Sequence, residues 1–216
     1  RPTRLPHNRG RRPSAPARSG RLGVLVTLLL AACSQAVVVD AEFPEPVVPA
    51  LPLRVGVHYS DAFRNYQYTE DLPNDVEWYF DLGGVNTKLF DGIFSALFDI
   101  TSVVDNIGGD GDAFSGLDAV ISPEIEAFEF SLPRQSRSDQ YAVWIRYNLH
   151  IHDPTGTLIT TWPVSAYGQS DARSFGASAA MEEAIIRAMR DAAASIVIGF
   201  AQEQKIRKAL LDDGDS

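Results

Sequence analysis

The sequence predicts an α+β fold in which one mostly antiparallel sheet carries two helices on one face. Residues 141–151 alternate apolar and polar side chains, which is typical of a half-buried strand. Residues 86–99 and 178–211 repeat apolar side chains at helical spacing. The chain has 216 residues, of which 45% are hydrophobic. This length and composition favour one globular domain.

The first 32 residues have the composition of a secretory signal. They contain seven of the 19 basic residues, all arginine, and no acidic residue. The eleven residues 22–32 are mostly apolar, which is far short of the roughly 20 residues that a membrane-spanning helix needs. Cys33, the only cysteine, follows directly. An ordinary secretory signal and a mitochondrial presequence remain alternative interpretations.

Leu30, Ala31, Ala32 and Cys33 resemble the lipobox of bacterial lipoproteins. The resemblance implies that Cys33 carries diacylglycerol on its sulfur and becomes the mature N-terminus. Three acyl chains would make this membrane anchor nearly irreversible. Ser34, in place of Asp, implies sorting to the outer membrane, with the protein on its periplasmic face.

The residues after the signal divide into three predicted segments. Residues 33–52 hold the lipidated cysteine and an extended tether, because prolines fix the backbone at positions 44, 46, 49 and 52. Residues 53–211 form a single α+β periplasmic domain. Residues 212–216 form an acidic tail.

The first half of the domain is predicted to contain three strands, a helix and a fourth strand. Residues 53–60 form the first strand, and the short aromatic segments 66–68 and 77–81 pair with each other. Asn86 caps a helix that ends near residue 99. Residues 100–104 then form the fourth strand.

The second half is predicted to begin with a glycine- and aspartate-rich loop at residues 105–117. Residues 119–132 are extended, and Pro123 makes this strand an edge strand or a bent one. Residues 141–151 and 158–167 form a hairpin, since the turn between them has Pro and Gly at suitable positions.

The last predicted element is a long helix from residue 178 to residue 211. Ser178 is its expected N-cap, and Gly199 kinks the helix or splits it in two. The complete predicted order is β-β-β-α-β-β-β-β-α, which gives the strand–helix–strands–helix arrangement of the proposed fold class.

Several short segments look like uncharacterised proteobacterial outer-membrane lipoproteins. They are residues 53–59, 63–66 and 166–168, with the alanine-rich stretch 190–194. The element order is also similar to lipoproteins of the LptE and YajG type and to the periplasmic domains of the CsgG and PelC secretion lipoproteins. The resemblance covers roughly residues 53–211 and implies a class of protein without implying an activity.

The charge distribution argues against nucleic acid as a partner. Residues 33–216 contain 12 basic and 28 acidic residues, a net charge of −16. A body this acidic repels the phosphate backbone.

The best candidate for a metal site is His150 and His152 with the adjacent Asp153. Alternate residues on a strand project together, so both imidazoles could face one ion. A complete site would need another ligand, such as His58. The favoured interpretation is a solvated strand face without metal, and no cofactor is expected.

Other chemical patterns are weaker still. Asp105, Asp110 and Asp112 miss the spacing of a calcium loop. Glu124 and Glu126 are expected to be solvated acids on one strand face, and no serine lies in a Gly-x-Ser-x-Gly motif. The sequence therefore predicts no catalytic residue.

One aromatic group could either line a partner groove or fill the core. Its members are Phe63, Tyr66, Tyr68, Trp78, Tyr79 and Phe80. The favoured hypothesis is a lipid-anchored, non-enzymatic accessory in cell-envelope assembly, transport or maintenance, which binds an envelope protein or polymer. The alternatives are a metal-dependent envelope hydrolase that uses His150 and His152, and a ring-forming subunit of a secretion channel.

Replacing Cys33 by Ala is expected to release the protein from membranes, because no sulfur would remain to carry diacylglycerol. Membrane fractionation with metabolic labelling by a radioactive fatty acid measures both effects. Unchanged membrane retention and no label on the wild-type chain would contradict the lipidation hypothesis.

Overall fold

The computed structural model describes residues 34–73, 76–109, 111–171, 173 and 176–212, and the structural statements below concern these residues. The predicted lipobox residues Leu30, Ala31, Ala32 and Cys33 lie outside them. So do Asp110 and most of the acidic tail.

The described chain contains eight strands and five helices. The strands are β1 Ser34–Val38, β2 Leu51–Val57, β3 Gln67–Asp71, β4 Glu77–Asp81, β5 Phe98–Val103, β6 Ala119–Ser131, β7 Gln140–His152 and β8 Leu158–Asp171. The helices are α1 Asp61–Arg64, α2 Gly83–Leu97, α3 Pro133–Ser136, α4 Ala177–Gly199 and α5 Gln204–Ile206.

The α+β class is confirmed, whereas the single, mostly antiparallel sheet, the count of two helices and the predicted element order are wrong. A three-stranded sheet has the order β1-β4-β3, and a five-stranded sheet has the order β5-β2-β6-β7-β8. Both sheets are mixed, because β1 pairs with β4 in parallel and β2 pairs in parallel with β5 and β6. Side-chain alternation marks a strand but carries no information about the direction of its neighbour.

The segment expected as a tether begins with a strand. Strand β1 pairs along its whole length with β4, from Ser34 opposite Glu77 to Val38 opposite Asp81. Val37 is 2% exposed, Val39 is 6% exposed and Ala41 is 7% exposed, and all three belong to the main core. The folded body therefore starts at Ser34, and the prolines follow this buried stretch.

The β7–β8 hairpin is confirmed, and so is the alternation of β7. Its odd-numbered residues from Val143 to Ile151 are buried, whereas Trp144 and Arg146 on the other side are exposed. Residues opposite each other in neighbouring antiparallel strands share a face of the sheet. The pairing of β7 with β8, from Gln140 opposite Asp171 to His152 opposite Leu158, therefore extends both faces across β8.

Helices α2 and α4 both cover the buried face of the five-stranded sheet, as predicted. The ring of Phe90 in α2 meets that of Tyr147 in β7, with centroids 5.3 Å apart. The buried Tyr147 hydroxyl donates to Asn86 Oδ1 at 2.7 Å. The N-cap role expected for Asn86 is wrong, because α2 starts at Gly83 and the Asn86 amide donates back to the Leu82 carbonyl.

Helix α4 lies directly on β8. A Cβ atom at Gly168 would clash with the Ala184 carbonyl oxygen and the Ala188 nitrogen, so only glycine fits beneath this helix. Of the two outcomes predicted at Gly199, the split is confirmed, and one continuous helix to residue 211 is not formed. Helix α4 ends at Gly199, where a Cβ would lie 2.8 Å from the Trp162 ring, and shorter helical turns follow.

The start of α4 also differs from the prediction. Its N-cap is Gly176, and the Ser178 hydroxyl accepts a hydrogen bond from the Gln35 side chain in β1 instead. Ser178 thus joins the first strand to the last long helix, a contact between segments that are far apart in the sequence.

Aromatic side chains fill the space between the two sheets. Phe80 in β4 contacts Phe128 and Phe130 in β6, with ring centroids 4.9 and 5.0 Å apart. Phe63, Trp78 and Phe80 are buried, and Tyr66 and Tyr68 are partly buried against the same core. Most of the aromatic group that could have lined a partner groove is therefore core.

We expect Gly168→Ala to lower the free energy of unfolding by about 1–3 kcal/mol or more, because α4 must move away from β8. Urea denaturation measures this loss. The matched control is Gly92→Ala in α2, where an added Cβ has no neighbour within 4 Å. That control should stabilise the protein by about 0.5–1 kcal/mol. Equal effects of the two substitutions would contradict the close packing of α4 on β8.

Candidate functional site

No described helix covers the second face of the five-stranded sheet across its middle. This surface, called the open face here, consists of outward-pointing residues of β6, β7 and β8. They are Glu124, Glu126 and Glu129 from β6, Trp144, Arg146, Asn148, His150 and His152 from β7, and Thr161, Ser165 and Tyr167 from β8. The alternation of β7 fixes which of its side chains point outward, so the residues that β7 contributes to this face can be predicted from the sequence.

Two large aromatic side chains lie exposed on the open face. Trp144 and Tyr167 are directly opposite each other on β7 and β8, and their ring centroids are 5.2 Å apart. Trp144 is 44% exposed and Tyr167 is 41% exposed. An adjacent depression of about 280 Å³ is lined by Trp144, Arg146, Glu129 and Ser165, among others. Exposed aromatic pairs of this kind are characteristic of contact surfaces.

The edge of the sheet beside this pair is protected by helix α4. Asp191 Oδ2 accepts a hydrogen bond from the Tyr167 backbone N–H at 2.9 Å, and Arg187 donates to the Gln169 carbonyl at 2.9 Å. These contacts occupy backbone groups that could otherwise pair with another strand. Any partner at Tyr167 is therefore more readily received on the open face than at this edge.

A bulge in β6 arranges the carboxylates of the open face. The register with β7 shifts between Ile125 and Ala127, which leaves Glu126 as the extra residue. Glu126 lies 3.6 Å from Arg146 Nε, and Glu124 lies 2.8 Å from His150 Nε2. Both acids are exposed, as the sequence predicts, but each has a different basic neighbour on β7.

Pro123 also lies in this part of β6. Strand β6 pairs with β2 only at residues 119–121, and beyond them it keeps a single neighbour, β7. The prediction of a bent or edge strand is therefore confirmed for the second part of β6. Pro123 has no backbone N–H to donate, and β6 has only one neighbouring strand at this position.

His150 uses both ring nitrogens within the open face. Its Nε2 faces Glu124 Oε2, and its Nδ1 lies 3.0 Å from Thr161 Oγ1. Sequence reasoning missed this Glu124–His150–Thr161 chain, because it depends on the register of three strands. The arrangement orients the imidazole but leaves neither ring nitrogen directed at an unoccupied position.

His152 and Asp153 are engaged by the turn after β7. His152 Nδ1 lies 3.2 Å from the Gly156 carbonyl oxygen. Asp153 Oδ1 accepts from the backbone N–H groups of Thr155 and Thr157, both at 2.9 Å. These bonds, together with the Thr155 hydroxyl, lower the pKa of Asp153 and make it the organising residue of the turn.

The structure does not assemble the metal site considered for His150, His152 and Asp153. Over the described ranges, no group of three His, Cys, Asp or Glu side chains is arranged to hold a metal ion. His58 lies near enough to His152 to influence its pKa, yet its own Nδ1 is 3.3 Å from the Val104 carbonyl. Asp105 and Asp112 of the predicted loop are exposed, and the loop docks on the β7–β8 turn through Gly109 N–H and the Pro154 carbonyl.

In the described part of the chain, no helix is both long enough and apolar enough to cross a membrane.

No protein-family model matches the chain, and no curated protein matches it. Among solved structures, it is similar to a DUF330-family protein from Xanthomonas campestris, with 12% identity and a TM-score of 0.47 over 76% of this chain and 92% of that one. It is also similar to a minor lipoprotein from Acinetobacter baumannii, with 9% identity and a TM-score of 0.42 over 72% of this chain and 96% of that one. At these TM-scores the likenesses carry no argument about function. The resemblance to the LptE, YajG, CsgG and PelC types stays a prediction.

His152 gives the protein a predicted dependence of stability on pH. Burial lowers the pKa of His152 below its ordinary value of 6.5, so the unfolded chain binds this proton more readily than the folded one. Stability should therefore fall as the pH drops from about 6.5 to the lowered pKa of the folded state. Urea denaturation across about pH 7 to 5 should show a shallower dependence in His152→Gln. An identical dependence in both proteins would contradict this assignment.

Proposed function

We propose that this protein is a lipid-anchored, non-enzymatic outer-membrane accessory whose open face binds a basic segment of an envelope protein. The observation that carries the binding proposal is the exposed Trp144–Tyr167 pair beside Arg146. Trp, Tyr and Arg are the residue types that dominate the binding energy of protein interfaces. Here all three lie together on a surface that no helix of the described residues covers.

Charge favours a basic partner segment. Glu124, Glu126 and Glu129 all belong to the open face and are exposed. The faces of Trp144 and Tyr167 can also attract Lys or Arg side chains through cation–π contacts. The strongly acidic body supports the same choice, because it would steer a basic partner toward this domain and repel an acidic one.

The membrane anchor is supported by the lipobox-like sequence that ends at Cys33. Confinement to a membrane raises the effective concentration of the domain near membrane partners. An affinity that would be modest in solution is then sufficient for a stable association.

Two features of the open face support a non-enzymatic role. His150 already has a partner at each ring nitrogen, so neither nitrogen is open to the metal ion that a metal-dependent hydrolase needs. The backbone groups of β7 lie in ladders with β6 and β8, so they form no cluster of free N–H donors that could stabilise an oxyanion. The metal-dependent hydrolase and the ring-forming subunit remain alternatives, and they predict bound zinc and a defined oligomer, respectively.

The test uses a photoreactive amino acid at Ser165, an exposed position on β8 within the depression beside Trp144. In the native envelope it should crosslink to one protein, through a segment rich in Lys or Arg. Removing both rings, Trp144→Ala with Tyr167→Ala, should lower the crosslinked yield by about tenfold or more, because hot-spot truncations cost about 2 kcal/mol or more each.

The matched control is Ile198→Ala on α4, which truncates an apolar side chain that is 65% exposed and lies outside the open face. Its crosslinked yield should equal that of the wild type. Equal yields from the double variant and the wild type would contradict the proposal. So would crosslinks confined to lipid, to a polysaccharide or to an acidic segment.

A further inference from the structure

The first described strand starts at the residue directly after the predicted anchor point, since Ser34 follows Cys33 in the chain. Ser34 is already paired with Glu77, and the ladder continues without a break to Val38. The Gln35 side chain bonds to Ser178 at the start of α4. No flexible linker therefore separates the described body from Cys33.

Several elements begin or end beside Ser34 and define one end of the domain, called the anchor end here. Trp78, which pairs with Gln35, has its ring 6.3 Å from that of Tyr141 at the start of β7. Gln140 pairs with Asp171, the last residue of β8. The anchor end therefore comprises residues 132–140, the end of β8 and the first turn of α4.

The opposite end of the domain is far away. Strand β7 runs from Gln140 at the anchor end to His152, and its thirteen residues span roughly 40 Å. The turn at residues 153–157 and the loop at residues 104–118 lie beyond it, joined by the hydrogen bond from Gly109 N–H to the Pro154 carbonyl.

Charge distinguishes the two ends. The anchor end carries Arg134, Arg137 and Arg173, of which Arg173 is paired with Asp171, and its other exposed acids are Asp71, Glu77 and Asp139. The opposite end carries Asp105, Asp112, Asp118 and Asp153 on its loop and turn, with Arg54 beside Asp118. The opposite end is therefore the more acidic of the two, and a membrane surface with anionic lipids repels it more strongly.

We propose that the anchor end rests on the lipid surface that holds the acyl chains, so that the domain stands upright on the membrane. This inference rests on the proposed lipid anchor. It also places the Trp144–Tyr167 pair close to the membrane, because Trp144 is four residues from Gln140 and therefore roughly 13 Å along β7. The binding partner is then a protein at the membrane surface.

The experiment uses the lipidated full chain in vesicles of phosphatidylethanolamine and phosphatidylglycerol. Ser138→Cys at the anchor end and Thr155→Cys at the opposite end each introduce one thiol, and acylated Cys33 does not react with a maleimide fluorophore. Headgroup-linked quencher should reduce fluorescence at residue 138 at least about twofold more than at residue 155, since the length of β7 separates them.

A flexible Gly/Ser insertion between Cys33 and Ser34 provides the second measurement. It should leave the protein on the vesicles and remove most of the difference between the two positions, because the body can then tumble. Equal quenching at residues 138 and 155 of the uninserted chain, or stronger quenching at residue 155, would overturn the upright orientation. A chain that fails to float with the vesicles would instead overturn the lipid anchor itself, and the orientation with it.

Discussion

The fold depends on the one-sided burial of the five-stranded sheet. Helices α2 and α4 cover one face, and two contacts fix them there. The buried Tyr147 hydroxyl bonds to Asn86, which ties α2 to β7, and Gly168 lets α4 lie directly on β8. Leaving either Asn86 or Tyr147 without its partner would cost about 1–3 kcal/mol, because both groups are fully buried. With both helices on this face, no described helix covers the middle of the other face.

This asymmetry connects the packing to the proposed function. The open face combines an exposed aromatic pair with two carboxylates of β6, Glu126 at the bulge beside Arg146 and Glu124 beside His150. The same strands that display these groups also run toward the anchor end, where β1 begins at Ser34. In the proposed orientation, the length of β7 sets the height of the open face above the membrane.

The sequence predicted the elements whose determinants are local. The β7–β8 hairpin was predictable because its strands are consecutive and β7 alternates strictly. The end of α4 at Gly199 was predictable because glycine is a poor helix former and Gly199 is the only glycine in that helix. Strand β1 was missed because four prolines soon after it indicate an extended tether, while its partner β4 lies about forty residues away. Asn86 was misassigned as a cap because its partner, Tyr147, is remote in sequence. Likewise, alternation divides β7 into two faces but does not determine strand register. The contact of Trp144 with Tyr167 and the pairing of His150 with Glu124 depend on that register.

The most direct test of the account is solvent accessibility of the open face in the native envelope. Hydroxyl-radical labelling followed by mass spectrometry reports the oxidation of Trp144 and Tyr167 in intact membranes and in the purified protein. Both side chains should be protected in the membranes, whereas Phe114, in the loop at the opposite end of the domain, should be labelled equally in the two samples. Equal labelling of Trp144 and Tyr167 in both samples would contradict the claim that this face is occupied by a partner.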